Sequence, residues 1–169
     1  MTQVPDAASQ FEPLLRLAAG LVLGAAVGWE RELHRMPAGF RTHALVGLGS
    51  AIFTVVSALA FVGPQTDPTR IAAQIVTGIG FLGGGAILHY RGNVRGLTTA
   101  ATLWAVAAIG MAAGAGLYVI AVGATVLVVV ALIALDRVET YARRRWARDG
   151  DAAATGGQYE TDGRTQDLP

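Results

Sequence analysis

Five apolar runs separated by short polar segments limit what this chain can fold into. The runs cover residues 14–29, 42–62, 71–90, 97–114 and 117–135. About 20 consecutive apolar residues in a helix cross the hydrocarbon core of a bilayer, which is about 30 Å thick. Hydrophobic residues make up 53% of the chain and charged residues only 15%, against about 25% charged in an average soluble domain. The sequence therefore predicts an all-α membrane protein, a bundle of five transmembrane helices.

The arginines predict how the bundle is oriented. All 13 basic residues are arginine, and they concentrate in alternate connections. These hold Arg31, Arg35 and Arg41, then Arg91 and Arg95, then Arg137, Arg143, Arg144, Arg145 and Arg148. The other connections hold only Arg70 or no arginine. Because positively charged loops stay in the cytoplasm, we expect the N-terminus outside and the C-terminus in the cytoplasm.

This topology divides the chain into three parts. Residues 1–13 form a periplasmic segment, residues 14–135 the transmembrane domain, and residues 136–169 a cytoplasmic tail that is first basic and then, from Asp149, disordered. The absence of cysteine excludes disulfides, thiolate metal sites and cysteine nucleophiles. No nucleophile–base pair is visible, so an enzyme is not expected. The three histidines are too dispersed to indicate a metal site, and no cofactor is expected.

Glycines recur at intervals of four in two runs. One series is Gly20, Gly24 and Gly28, and the other is Gly80 and Gly84. Small residues at this spacing let helix backbones approach closely, so both series are predicted contact faces, within the bundle or between protomers. The five glycines in residues 78–85 leave two alternatives open: freed backbone carbonyls lining a polar site, or a break in the helix. The valine-rich fifth run is expected on the lipid-facing outside.

Four polar residues are predicted at the cytoplasmic ends of the first, second and fourth helices: Glu30, Arg41, Thr98 and Thr99. Polar groups in a membrane are costly and are candidates for function. An acid at this depth needs a partner, and Arg41 is the predicted partner of Glu30. The cluster could respond to cation or proton activity by changing its pairing. The alternatives are a structural salt bridge between the first two helices and threonines that only cap a helix.

A second set of polar candidates lies at the opposite end of the third run. Asp67, followed by a proline, is typical of a residue that caps a helix N-terminus. Arg70 and Gln74 follow within the first two turns. These three residues are secondary candidates for a polar site.

Several short segments of the sequence closely resemble motifs of the MgtC/SapB family of bacterial membrane proteins. They are Gly-Trp-Glu-Arg-Glu32, Ala-Gly-Phe-Arg-Thr-His43, Arg-Ile-Ala-Ala-Gln74, Gly-Ile-Gly-Phe-Leu-Gly83 and Gly-Leu-Thr-Thr-Ala-Ala-Thr-Leu-Trp104. Their order and spacing match the family from about Leu14 to Leu135.

The resemblance implies a protein of the bacterial inner membrane that is associated with growth at low magnesium. It also implies action on partner membrane proteins, such as ATP synthase or cation transporters, with Mg²⁺ as a sensed ion rather than a resident cofactor. The alternative function is a small cation or solute transporter or channel that works as a homo-oligomer. No nucleic-acid partner is expected.

Overall fold

The computed structural model describes residues 11–60, 67, 69–90 and 93–156. The fold is helical, as predicted. Its elements are α1 (Phe11–Leu33), α2 (Phe40–Ala60), α3 (Thr69–Ala86), β1 (Leu88–Tyr90), β2 (Asn93–Arg95), α4 (Leu97–Gly114) and α5 (Tyr118–Gly156). Residues up to Val129 form one compact unit. Residues from Val130 onward form a second unit, which contains the remainder of α5.

The third run is shorter as a helix than the sequence predicts. α3 ends at Ala86, after three consecutive glycines that each cost about 1 kcal/mol relative to alanine in a helix. The chain then forms an antiparallel hairpin in which Leu88 pairs with Arg95. Gly96 joins the hairpin to α4 with a φ of 90°, which glycine adopts without steric cost.

The fifth helix is longer than predicted. α5 continues to Gly156, past Asp149, where the sequence suggests that disorder begins. Residues 152–154 are alanines, which favour helix over coil. Residues 157–169 of the predicted disordered tail lie outside the described residues, as do residues 1–10 of the predicted periplasmic segment 1–13. Residues 11–13 of that segment belong to α1.

Helices α1, α2 and α4 pack tightly against one another. Side chains between them are almost fully buried, among them Val27, Ala51, Val106, Ile109 and Ala113. Helix α3 packs mainly on α4, through a smaller apolar cluster that includes Ile75, Ile79, Leu103 and Ala107. The interior of the fold is therefore a three-helix unit of α1, α2 and α4, with α3 attached to its side.

Glycines bring α1 and α2 into contact along the predicted stripe. A Cβ atom on Gly20 would lie 2.7 Å from Ala51 Cβ, and one on Gly24 would lie 2.5 Å from the His43 carbonyl oxygen. A Cβ on Gly28 would lie 2.8 Å from Phe40 Cα. The stripe therefore packs directly on α2, so closely that no side chain fits between the two helices at these positions.

Three further glycines, which the sequence did not single out, complete this packing. Gly47 on α2 faces the Gly20 carbonyl oxygen across the α1–α2 contact. Gly110 on α4 faces the Gly47 carbonyl oxygen, and a Cβ on Gly114 would lie 2.7 Å from the Ala51 carbonyl oxygen. Gly47 therefore lies in the middle of the unit, between α1 and α4.

The second predicted glycine series is not in contact with the rest of the fold. Gly80 and Gly84 are exposed, and a Cβ added to either would meet nothing within 4 Å. Only Gly83 is buried, against Ala100. The predicted contact of Gly80 and Gly84 within the bundle is therefore not made, and α3 packs on α4 through Ile75, Ile79 and Gly83 instead. Contact between protomers stays a prediction.

Within the described residues, four helices are long and apolar enough to cross a membrane: α1, α2, α4 and the Tyr118–Tyr141 part of α5. Helix α3 does not belong to this set, since its 18 residues include Arg70, Gln74 and several glycines. Within the first unit, α5 exposes the apolar side chains of Val119, Ile120, Val126 and Leu127. This surface is of the lipid-facing kind that the valine-rich run predicts.

Candidate functional site

The C-terminal end of α1 is fixed by its backbone. The amide of Met36 donates to the Arg31 carbonyl and the amide of Arg35 donates to the Glu32 carbonyl, both at 3.0 Å. This pair of bonds is a Schellman motif, whose turning residue takes a left-handed conformation; here it is Arg35, with φ of 53°. The motif turns the chain back toward α2 and holds the last turn of α1 against its neighbours.

Glu30 and Arg31 form a buried ion pair in that last turn. Their side chains are only 8% and 4% exposed. Arg31 Nη2 donates to Glu30 Oε1 at 2.7 Å, and Arg31 Nε donates to the other carboxylate oxygen. His34 Nδ1 lies 3.0 Å from Glu30 Oε1. A two-point arginine–carboxylate pair is among the strongest polar contacts, and removal of one partner would leave a buried charge.

The prediction that Glu30 pairs with Arg41 is wrong. Arg41 is exposed, and in the described part of the chain no ion pair joins it to an acid. Its side chain lines a groove between α2 and α3. Thr98 is also exposed, whereas Thr99 is 1% exposed. The four residues predicted to meet thus divide: Glu30 and Thr99 are buried within the α1–α2–α4 unit, and Arg41 and Thr98 are on the surface.

Consecutive hydrogen bonds between buried groups link α2 to α4, near the C-terminal end of α1. His43 is fully buried at the start of α2. Its Nδ1 lies 2.9 Å from the Gly39 carbonyl oxygen, and its Nε2 lies 3.0 Å from Thr102 Oγ1. Thr102 Oγ1 in turn lies 2.8 Å from the Thr99 carbonyl oxygen. Consecutive hydrogen bonds therefore join three buried groups of two helices: the His43 ring, the Thr102 hydroxyl and the Thr99 carbonyl.

The number of protons decides which of these bonds can coexist. A carbonyl only accepts, so Nδ1 of His43 carries the proton donated to Gly39. The hydroxyl of Thr102 has one proton, and it donates either to the Thr99 carbonyl or to His43 Nε2. All three bonds form together only when Nε2 is also protonated, which makes His43 a cation. With neutral His43, the Thr102 hydroxyl donates to Nε2, and the Thr99 carbonyl keeps only its helical backbone hydrogen bond.

The polar groups lie directly beside the glycine contacts. A Cβ on Gly28 would lie 2.9 Å from His43 Cβ, and Gly24 packs on the His43 carbonyl. Glu30 and Arg31 follow Gly28 within a single helical turn. A rearrangement of the polar groups would therefore act on helix contacts that have no free space. We call Glu30, Arg31, His43, Thr99 and Thr102 the buried polar cluster.

The secondary candidates have simpler surroundings. Asp67 Oδ1 accepts hydrogen bonds from the amide and hydroxyl of Thr69, at 2.9 and 2.6 Å. These bonds lower the pKa of Asp67 below its usual value, which agrees with the predicted cap at the start of α3. Arg70 and Gln74 are exposed, and Gln74 lines the α2–α3 groove. The structure does not bring these three residues to the buried polar cluster.

Three members of the cluster were not among the predicted site residues: Arg31, His43 and Thr102. Neighbouring residues of a helix do not normally face each other, so Glu30 and Arg31 gave no pairing signal. For His43 and Thr102 a signal existed, because the predicted topology puts both at the same membrane depth. In the described residues, no three His, Asp or Glu side chains cluster as metal ligands would.

Comparison with known proteins identifies the family. The model of the MgtC family matches residues 17–141. The chain belongs to the MgtC family. Together with the four apolar helices, this membership makes it a multi-pass membrane protein. No solved structure matches the chain.

Relatives in the MgtC family are similar over most of this chain. It is 51% identical over 113 residues to "Protein MgtC" of Brucella abortus, and 49% identical over 130 residues to an uncharacterized protein of Synechocystis. It is 43% identical over 127 residues to "Putative magnesium transporter YhiD" of Escherichia coli. These matches cover 67%, 77% and 72% of this chain, but 47%, 55% and 59% of the relatives. The chain therefore spans about half the length of the relatives it matches.

Proposed function

We propose that this protein is an inner-membrane accessory protein of magnesium homeostasis, which supports growth at low Mg²⁺ by acting on partner membrane proteins. We place its N-terminus outside and its C-terminus in the cytoplasm, with α3 as the fifth span. The basic alternate connections support this orientation. The name of the Escherichia coli relative supports the link to magnesium.

The observation that carries the regulatory proposal is the buried polar cluster beside the glycine contacts. The cluster has two arrangements, which differ in whether Thr102 donates to Thr99 or to His43. The ion pair of Glu30 and Arg31 lies on α1, and the hydrogen bond between His43 and Thr102 joins α2 to α4. A change in proton or cation activity at this membrane face shifts the balance between the arrangements. Because α1 and α2 are in backbone contact next to it, the shift moves helices rather than opening a side-chain gap.

The packing of α1, α2 and α4 favours regulation over transport through this unit. Along the α1–α2 contact, even a methyl group on Gly20, Gly24 or Gly28 would overlap the neighbouring helix. A hydrated cation needs far more room than a methyl group. A transporter remains the second candidate, because α3 presents the exposed Gly80 and Gly84 together with Gln74. In an oligomer, these groups could line a path between protomers.

Growth at low Mg²⁺ tests the proposed site. In a strain that lacks the gene, Glu30→Gln and Thr102→Val should both lose the growth that the wild-type protein restores. Thr102→Val, which leaves the buried ion pair intact, should do so with near-normal amounts in the membrane. Glu12→Gln is the matched control, because Glu12 is exposed and pairs with Arg16 on the surface. Full growth with both cluster variants would exclude the switch. Disappearance of both variants from the membrane would show that the cluster is only structural.

Flux measurements separate the two candidate functions. Purified protein in liposomes should carry neither Mg²⁺ nor H⁺ above the rate of empty liposomes. A flux that depends on the amount of protein, and that Gly80→Leu blocks, would favour the transporter instead.

A further inference from the structure

A groove of about 860 Å³ runs between α2 and α3 and opens to the side of the fold. On α2, its wall is formed by residues four apart: Arg41, Leu45, Gly49 and Phe53. On α3, it is formed by Ile71, Ile75, Gly78 and Leu82, among others. Most of this lining is apolar or glycine. Neither Gly49 nor Gly78 has any atom within 4 Å of an added Cβ, so the groove is open beside both glycines.

The length of the groove matches one leaflet of a membrane. From Arg41 to Phe53 the helix rises about 18 Å, at 1.5 Å per residue. One leaflet of the hydrocarbon core is about 15 Å thick, half of about 30 Å. An acyl chain that starts beside Arg41 therefore stays in the groove over its whole depth in that leaflet. The volume is also within the range of about 300–1,000 Å³ that is usual for small-molecule sites.

The charge of the groove is concentrated at one end. Arg41 is exposed, and no ion pair neutralises it among the described residues. The arginine guanidinium matches the geometry of a phosphate group, to which it can donate two hydrogen bonds. Phe40, which directly precedes Arg41, is exposed and forms an edge-to-face pair with the exposed Trp29, at 6.0 Å between ring centroids. Exposed aromatic rings of this kind lie at the headgroup level of membranes.

From these observations we propose that the α2–α3 groove binds one anionic phospholipid. Its phosphate accepts hydrogen bonds from Arg41, and one acyl chain lies along Leu45, Gly49 and Phe53. The charge complementarity favours an anionic lipid over a second copy of the chain. This site is separate from the buried polar cluster, so the proposed function can fail while the lipid site stands.

Native mass spectrometry of the purified protein tests the site with palmitoyl-oleoyl phosphatidylglycerol and palmitoyl-oleoyl phosphatidylcholine. We expect one phosphatidylglycerol to bind about tenfold more tightly than phosphatidylcholine, because the choline ammonium of the latter offsets the attraction of its phosphate to Arg41. Arg41→Gln should abolish this preference. Arg95→Gln is the matched control, because Arg95 is exposed on the hairpin and does not line the groove.

A second variant tests the groove without touching the charge. Gly49→Leu should fill the groove and weaken the binding of both lipids, whereas Gly123→Leu, an equally unobstructed glycine on α5, should not. Melting temperatures of the variants show that they are folded. Equal binding of the two lipids to the wild type would overturn the proposal, as would tight phosphatidylglycerol binding in Gly49→Leu. A wild-type dimer that Gly49→Leu converts to monomer would show that a second copy fills the groove, which also overturns it.

Discussion

The two glycine series of this chain have the same spacing and opposite surroundings. Gly20 and Gly24 on α1 lie against the backbone of α2, where a Cβ would come within 2.5–2.8 Å of other atoms. Gly80 and Gly84 on α3, also four residues apart, have nothing within 4 Å. Spacing therefore indicates that a helix has a face suited to close contact, but not whether that contact is made within the chain.

The difference also separates two kinds of surface. Around the first series the fold is closed, and the buried polar cluster lies beside it. Around the second series the surface is open, with Phe81 85% exposed. The α1–α2–α4 unit thus holds the buried polar cluster, while α3 presents an open face. The four predictions that follow test this division, beginning with the largest effect.

Leucine in place of glycine should separate the two series most clearly. Gly24→Leu should prevent stable folding, because even its Cβ would lie 2.5 Å from the His43 carbonyl oxygen, and the rest of the side chain would force α1 and α2 apart. Gly84→Leu should fold normally and change, at most, assembly between protomers. Membrane levels and melting temperatures of the two purified variants check this. Equal loss of both would show that α3 is packed inside the fold after all.

Removing the partner of the buried acid should have the next largest effect. Arg31→Gln leaves Glu30 buried without its partner, and breaking such a pair costs about 3–5 kcal/mol. Glu12→Gln breaks an exposed pair with Arg16, which is worth about 0–1 kcal/mol. Unfolding in denaturant should therefore begin much earlier for Arg31→Gln. Similar midpoints for the two variants would contradict the buried pair.

How much the sequence reveals differs between these features. The helical class could be predicted from the apolar runs, and the contact face of α1 from the spacing of its glycines. The Glu30–Arg31 pair did not, because its geometry depends on how the Schellman turn at Arg35 closes α1. The outward face of α3 did not follow either, since a glycine has no side chain whose polarity would indicate which way it points.

The smallest effect on stability is expected for the Asp67 cap at the start of α3. Hydrogen bonds from Thr69 lower the pKa of Asp67, so its contribution to stability is complete above the unfolded pKa, about 4. It is lost as the pH falls through the lower folded pKa. Asp67→Ala should therefore lower the melting temperature slightly at pH 7 and not at all at very acidic pH. A larger effect at acidic pH than at pH 7 would contradict the cap.

The most direct measurement compares single methyl groups added to the two regions. Gly47→Ala should lower the melting temperature of detergent-solubilised monomer, because Gly47 faces the Gly20 carbonyl and its own carbonyl faces Gly110. Gly80→Ala should raise it, since alanine favours helix by up to about 1 kcal/mol over glycine and no atom is in the way. Shifts of opposite sign are the predicted result. Shifts of the same sign in both variants would contradict the division between a closed α1–α2–α4 unit and an open α3 face.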